Sequence, residues 1–330
     1  MSSRRLATGL AASLLALAPA ARAQNKSADA GAPLTDHREI LVPVPAGSVE
    51  VLRIDNPMGR VDVRGSSKID AIHVVADKRA ATPEALGRLR VHYAAFQNGE
   101  VQIDTRVELQ GGERSVPLSG SGIDLVVEVP PDVAIEAKTF GGDVTATGLH
   151  AGARLETTGG RIGVSDVSGG VVTRQLRGGQ HVAGVEGDVD LDGVEGDLDL
   201  QRLAGGRVDA RVVDGSIRAE DVRSTWVRLR TTTGQIVLLG VIRPGARYDL
   251  RSYAGDVRVV AMAAPPPFEL RARSAAAVES AYALRAAGHQ GDWTRAFWGN
   301  TGNGTRAALL EVSAVLGRVV IQPPTTADLH

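Results

Sequence analysis

The chain has 330 residues, 43% of them hydrophobic but only 3% aromatic, with 39 glycines, no cysteine and a formal charge of −1. Near-neutral charge gives no electrostatic basis for nucleic-acid binding, and the lack of cysteine excludes stabilisation by disulfides. A core of Val, Leu, Ile and Ala among so many glycines points to short strands joined by tight turns.

The first residues, MSSRRLATGLAASLLALAPAARAQ, have the three parts of a secretory signal in order. Arg4 and Arg5 form a basic start, Leu6 to Leu17 an apolar run too short to span a membrane, and Ala21-Arg22-Ala23 a small-x-small cleavage site. Residues 1–23 are therefore expected to be a signal peptide, with the mature chain beginning at Gln24. Their removal takes away three arginines and no acid, which carries the formal charge from −1 to −4. The protein is thus expected in the periplasm, outside the cell or at the cell surface, with no transmembrane segment in the mature chain. Residues 24–38 are small and polar and read as a flexible leader.

Residues 39–140 read as irregular strands forming an N-terminal β cap. SVEVLRIDNPMGRVDVRG (48–65) carries two strands about a turn at Asn56–Gly59, and IDAIHVVADKRA (69–80) a further strand. TPEALGRLRVHY (82–93) holds the one helical signal, with Thr82 as N-cap, Pro83 in the first turn and Glu84 after it.

Residues 141–262 are regular. Glycines at 142, 152, 160, 170, 179, 187, 196, 206, 215, 234, 245 and 255 each precede a short run in which apolar residues alternate with polar ones. Period-two alternation buries one face of each strand. Both an antiparallel meander and a solenoid fit this rhythm. Its regularity, without Asn-Gly hairpin turns, favours the solenoid. The expected fold is all-β: a single-domain parallel β-solenoid, or β-helix, with about 19 residues per coil and irregular terminal caps.

Residues 18 to 20 apart then become neighbours. Asp188 falls beside Arg207, Asp192 beside Arg211, Asp199 beside Arg218 and Asp143 beside Arg161, so opposite charges stack between coils. The acidic stretch GVEGDVDLDGVEGDLDLQ (184–201) is read accordingly. Val189, Leu191, Leu198 and Leu200 point in, while Asp188, Asp190, Asp192, Asp197 and Asp199 point out. A calcium roll of the G-G-x-G-x-D-x-U-x type would need Asp where Val189 and Leu198 stand, and a hard cation needs oxygen ligands.

After three prolines at 265–267, residues 263–330 read as a C-terminal cap with an aromatic insertion, closed by a strand pair in RAALLEVSAVLGRVVIQ (306–322). Tyr282, Trp293, Phe297 and Trp298 hold two of the three tryptophans. They are read first as a hydrophobic lid on the solenoid end, and otherwise as a ligand patch for stacking sugars or peptides.

The order of these features resembles a known family. It comprises Asn-x-x-Gly-x-Val-x-Val (Asn56, Gly59, Val61, Val63), a charged strand ending near Ala76-Asp77-Lys78, and Val-Pro-Pro-Asp-Val (129–133). Repeated [Thr/Leu]-x-x-Gly units follow, ending at Leu316-Gly317-Arg318-Val319. Over residues 40–322 this resembles the bacterial "putative adhesin" family of unknown function, akin to auto-transporter adhesin head domains. The resemblance implies an exported, envelope-associated β-solenoid and supplies no catalytic residues to transfer.

No Ser-His-Asp, Walker, Rossmann or zinc pattern stands in context, and the seven histidines form no ligand pair. No catalytic residue, cofactor or metal is expected. The expected function is a non-enzymatic scaffold that binds an envelope polysaccharide or protein. The alternatives are a periplasmic accessory protein of envelope-stress sensing and a polysaccharide-active β-helix enzyme.

Overall fold

In the computed structural model, the described residues are 33–42, 49–96, 98–109, 120–299 and 306–328. The expected signal peptide lies outside them. The N-terminal elements are β1 (Leu34–Val42), β2 (Val51–Met58), β3 (Val61–Gly65), β4 (Ile72–Ala80), α1 (Pro83–Arg88), β5 (Leu89–Ala95), β6 (Glu100–Val107) and β7 (Gly122–Val129). The regular part follows with β8 (Ala134–Gly141), β9 (Val144–Leu149), β10 (Ala153–Gly159), β11 (Ile162–Val167), β12 (Val171–Arg177), β13 (Gln180–Val185) and β14 (Val189–Glu195). It continues through β15 (Leu198–Leu203), β16 (Arg207–Asp214), β17 (Ile217–Val222), β18 (Trp226–Thr233), β19 (Ile236–Gly240), β20 (Arg247–Ala254) and β21 (Val257–Ala261). The C-terminal strands are β22 (Phe268–Ser274), β23 (Val278–Ser280), β24 (Arg285–Gln290), β25 (Trp293–Trp298), β26 (Ala308–Ala314) and β27 (Val319–Gln322).

The strands form two long sheets, of 13 and 14 strands, with one strand of each coil in each sheet. From β8 to β21 every pairing is parallel and in register, as a solenoid requires. Ile135, Ala153, Val171 and Val189 stack at 18-residue steps. Val208 and Val227 follow at 19, and Tyr248 at 21. The longest step has room for a turn in which Ala246 N–H donates to the Arg243 carbonyl. Between the sheets lies one apolar core, in which Val189, Leu191, Leu198 and Leu200 are all buried as expected.

Both ends stack out of chain order. The β6/β7 coil lies outside β2/β3, which pairs in parallel with β8/β9. At the other end β26/β27 lies between β20/β21 and β22/β23. Much of 39–140 and 263–330 therefore continues the coils. Antiparallel strands finish each end: β4 and β1 on β7, β5 on β6, and the β25–β24 pair on β22. Such strands satisfy the backbone edge that a bare solenoid would expose. β1 begins inside the segment expected to be a flexible leader: Leu34 to Arg38 pair with Ala80 to Ala76. The free side of β4 offers them a full ladder of hydrogen bonds, which outweighs their polar composition. The helix starts as expected, with Thr82 Oγ1 accepting from Ala85 N–H, but ends at Arg88, where Leu89 turns into β5.

The units with Thr or Ser three residues before the glycine mark the corner that follows a strand of the 14-stranded sheet. The first residue points inward and its side chain ties the corner carbonyl of the adjacent coil, as in Thr157 to Gly142, Thr231 to Gly215 and Ser252 to Gly234. The glycine takes a positive φ, 155° at Gly215, and a methyl group there would overlap the Gly196 carbonyl oxygen. Coils can stack this closely only where no Cβ intervenes.

The charge stacking is more varied than the sequence predicts. Asp192 and Arg211 pair between side chains at 3.4 Å. Asp188 and Asp143 instead accept the backbone N–H of Arg207 and Arg161, at 2.9 and 2.7 Å. Asp199 is in register with Arg218 but bonds His181, while Arg218 turns to Glu220. A residue beside the corner reaches the next coil's amide before it reaches that coil's side chain.

Candidate functional site

The 14-stranded sheet carries a furrow along its outer face, built from residues that recur once per coil. In each unit the residue before the inward Thr position points out and is charged: Lys138, Glu156, Arg174, Asp192, Arg211, Arg230, Arg251. The residue after it also points out, and is mostly apolar: Phe140, Thr158, Leu176, Val194, Val213, Thr232, Tyr253. One wall is thus charged and the other apolar. Phe140 is 68% exposed and Tyr253 55%. An exposed and largely apolar stripe, interrupted at Thr158 and Thr232, marks a candidate interaction surface.

The charges divide the furrow in two. Toward the N-terminus, from Lys138 to Asp192, the signs alternate around an opening of about 390 Å³. Toward the C-terminus, Arg211, Arg230 and Arg251 stand on three successive strands, with Arg273 beyond Ser313. Adjacent strands are about 4.8 Å apart, so the three arginines rise from the sheet in one row, a comb of cationic side chains. This half encloses about 680 Å³ between the arginines and a wall of Val213, Tyr253, Val315 and Trp293.

Two buried carboxylates hold the comb upright. Asp209, 0% exposed, receives Arg207 at 2.7 Å, Arg228 at 3.4 Å and Arg211 at 3.5 Å. Asp249, 4% exposed, receives Arg251 at 2.6 Å, Arg230 at 2.8 Å and Arg228 at 3.5 Å. Burial alone would raise the Asp249 pKa, but the hydrogen bonds from Arg230 and Arg251 hold it below its ordinary value. Arg211 also approaches Asp192 at 3.4 Å and Asp190 at 3.9 Å, so these five guanidinium groups meet four carboxylates, which leaves a small positive excess on the side of Arg230 and Arg251. Trp226 lies between Arg207 and Arg228, whose Cζ atoms are 4.5 and 4.2 Å from its ring centroid. Cation–π contact fixes both arginines without consuming their outward hydrogen-bond donors.

Asp190 and Asp209, 19 residues apart, stand in register on adjacent strands. Arg211 approaches both, at 3.9 and 3.5 Å, so a guanidinium occupies the place a cation would take. Among the described residues no group of three or more His, Asp or Glu could hold a metal ion.

The four aromatic residues do not form one cluster. Residues 293–298 are a strand, not a loop, so Trp293 and Trp298, five apart, fall on opposite faces. Trp298 turns inward with Tyr282, their ring centroids 5.2 Å apart, and Tyr282 meets Phe268 edge-on at 6.3 Å. Phe297 lies outward under Arg295, 6.0 Å from its ring centroid. Trp293 reaches the furrow.

Sequence reasoning missed the furrow itself, together with Arg230, Arg251, Tyr253 and Trp226. A signal was present: aligning the units on their corner glycine puts Arg211, Arg230 and Arg251 in one column and Val213, Thr232 and Tyr253 in another.

Among the described residues no helix is long and apolar enough to cross a membrane. No family model and no curated protein matches the chain. Solved structures similar to it include a putative cell adhesion protein from Clostridium sporogenes ATCC 15579, 9% identical, with 88% of this chain and 100% of that one covered and a TM-score of 0.23. A putative adhesin from Bacteroides fragilis NCTC 9343 is 10% identical over 87% of this chain and 97% of that one, with a TM-score of 0.41. Likenesses this distant do not bear on what this chain binds.

Proposed function

We propose that this protein is an exported, non-enzymatic, adhesin-like binding protein, and that it takes an anionic partner of the cell envelope or surface in the basic half of the furrow. The observation that carries this reading is the comb of Arg211, Arg230 and Arg251, held over buried Asp209 and Asp249 and faced by an apolar wall. Fixed guanidinium forks are suited to carboxylate and phosphate groups, and pre-organisation lowers the entropy lost on binding. Export rests on the order of basic, apolar and small residues in 1–23.

The carboxylates here are poorly suited to acid catalysis. A general acid must keep its proton near neutral pH, whereas Asp249 is held ionised by its arginines. Asp209 and Asp249 position the arginines and are themselves covered.

Co-sedimentation with cell-envelope material tests the reading. Wild-type protein is expected to sediment with it. Arg230→Glu/Arg251→Glu should abolish this, while Arg218→Glu on the other sheet should not. Equal behaviour of both variants, or no sedimentation of the wild type, would overturn the proposal.

A further inference from the structure

The basic half of the furrow also constrains the chemical class of its ligand, an inference that rests on the function proposed above. We infer that the ligand is a linear anionic polysaccharide that lies along the comb, its acidic groups on Arg211, Arg230 and Arg251 and its sugar rings against Tyr253 and Trp293.

Three observations point this way. First, the walls offer only side chains. Strands β16, β18 and β20 are paired on both sides, so no backbone edge is free within the furrow. Extended peptides are commonly held by adding a strand to such an edge, and that mode is closed here. Second, the arginines rise from three successive strands about 4.8 Å apart, a row that suits a polymer with repeated charge. An isolated anion would need only one of them. Third, the opposite wall is apolar, with Tyr253 more than half exposed and Trp293 at its end. Aromatic faces pack against the C–H faces of sugar rings, and a bare polyphosphate would have no use for them.

The furrow is also open at the N-terminal end of this half. It continues past Asp192 and Val194 toward Leu176. The ligand would therefore extend along the furrow, and its affinity should rise with the number of sugars spanned.

The arginines and the aromatic wall separate charge from sugar recognition. The probes are polygalacturonate, a linear polymer of acidic sugars, poly-L-glutamate of matched charge, and dextran, a neutral glucose polymer. Binding of each is measured by calorimetry to the wild type, Tyr253→Ala, Trp293→Ala and Arg251→Gln, with thermal unfolding of each variant as a check on folding. Polygalacturonate should bind the wild type more tightly than polyglutamate, and dextran should not bind. Tyr253→Ala should weaken polygalacturonate about tenfold, the equivalent of one aromatic contact, and leave polyglutamate unchanged. Arg251→Gln should weaken both. If polyglutamate binds as tightly as polygalacturonate, or Tyr253→Ala and Trp293→Ala leave polygalacturonate unaffected, the sugar assignment is wrong while anion binding stands. If neither polyanion binds, both the assignment and the proposed function fall.

Discussion

Arg230 donates a 2.8 Å hydrogen bond to Asp249, the residue diagonally opposite it one coil further along the same sheet. Asp249 is nearly sealed from solvent, yet the arginines that seal it remain half-exposed at the furrow. The pair joins stability to function, because the carboxylate that anchors the coil also aims the guanidinium.

Asp249→Asn should therefore cost about 3 kcal/mol at neutral pH, since it removes one partner of a buried charge network. The cost should depend on pH. A carboxyl whose folded pKa lies below its unfolded value stabilises fully above the unfolded value, about 3.9, and loses that contribution as pH falls through the folded one. Urea unfolding of both proteins should show the full difference at pH 7 and a shrinking one as pH falls below the unfolded value of about 3.9. A difference that grows in acid would contradict the direction of the shift at Asp249.

Gly215→Ala should destabilise by more than about 3 kcal/mol, because it combines an unfavourable φ with overlap on the neighbouring coil. Gly193→Ala is the matched comparison. Its added methyl would meet nothing closer than 3.5 Å, and it should be tolerated. Denaturant unfolding of the two variants checks the stacking directly; similar losses would show the coils are not in the register described.

Leu191→Asp should unfold the protein or nearly so, because it buries an unpaired charge. Asp190→Leu, on the outward face of the same strand, should be mild. Thermal unfolding separates the two, and equal effects would reverse the assignment of faces.

Trp298→Ala should cost about 3 kcal/mol through its inward packing on Tyr282. Trp293→Ala, on the outward face of the same strand, should leave stability nearly intact. Unfolding free energies of both variants check this, and a larger loss at Trp293 would contradict the split of the aromatic residues.

Much of the fold was legible in the sequence because it depends on local repetition. Glycine spacing and period-two alternation are enough to set two strands per coil, and Val189 and Leu191 face inward as that pattern requires. The order of stacking at the ends was not legible. Whether β2 lies beside β6 or beside the bare end is decided by how the chain returns from α1 and β5, and strand pattern does not encode that path. The furrow was hidden for a different reason. Its residues are 18 to 21 apart, so neither wall appears as a cluster in the sequence. Asp209 carries no mark of burial in the sequence, since Arg228, one of the arginines on it, stands 19 residues away on the next coil.

The chain has no cysteine, so a single introduced thiol reports on one place alone. Thr232→Cys puts it on the apolar wall of the furrow, and Arg218→Cys on the outer face of the opposite sheet. The most direct test of the furrow as the binding face is the rate at which each thiol is alkylated with and without envelope material. The furrow account predicts slowed alkylation at position 232 and an unchanged rate at 218. Protection at 218 with none at 232 would contradict it.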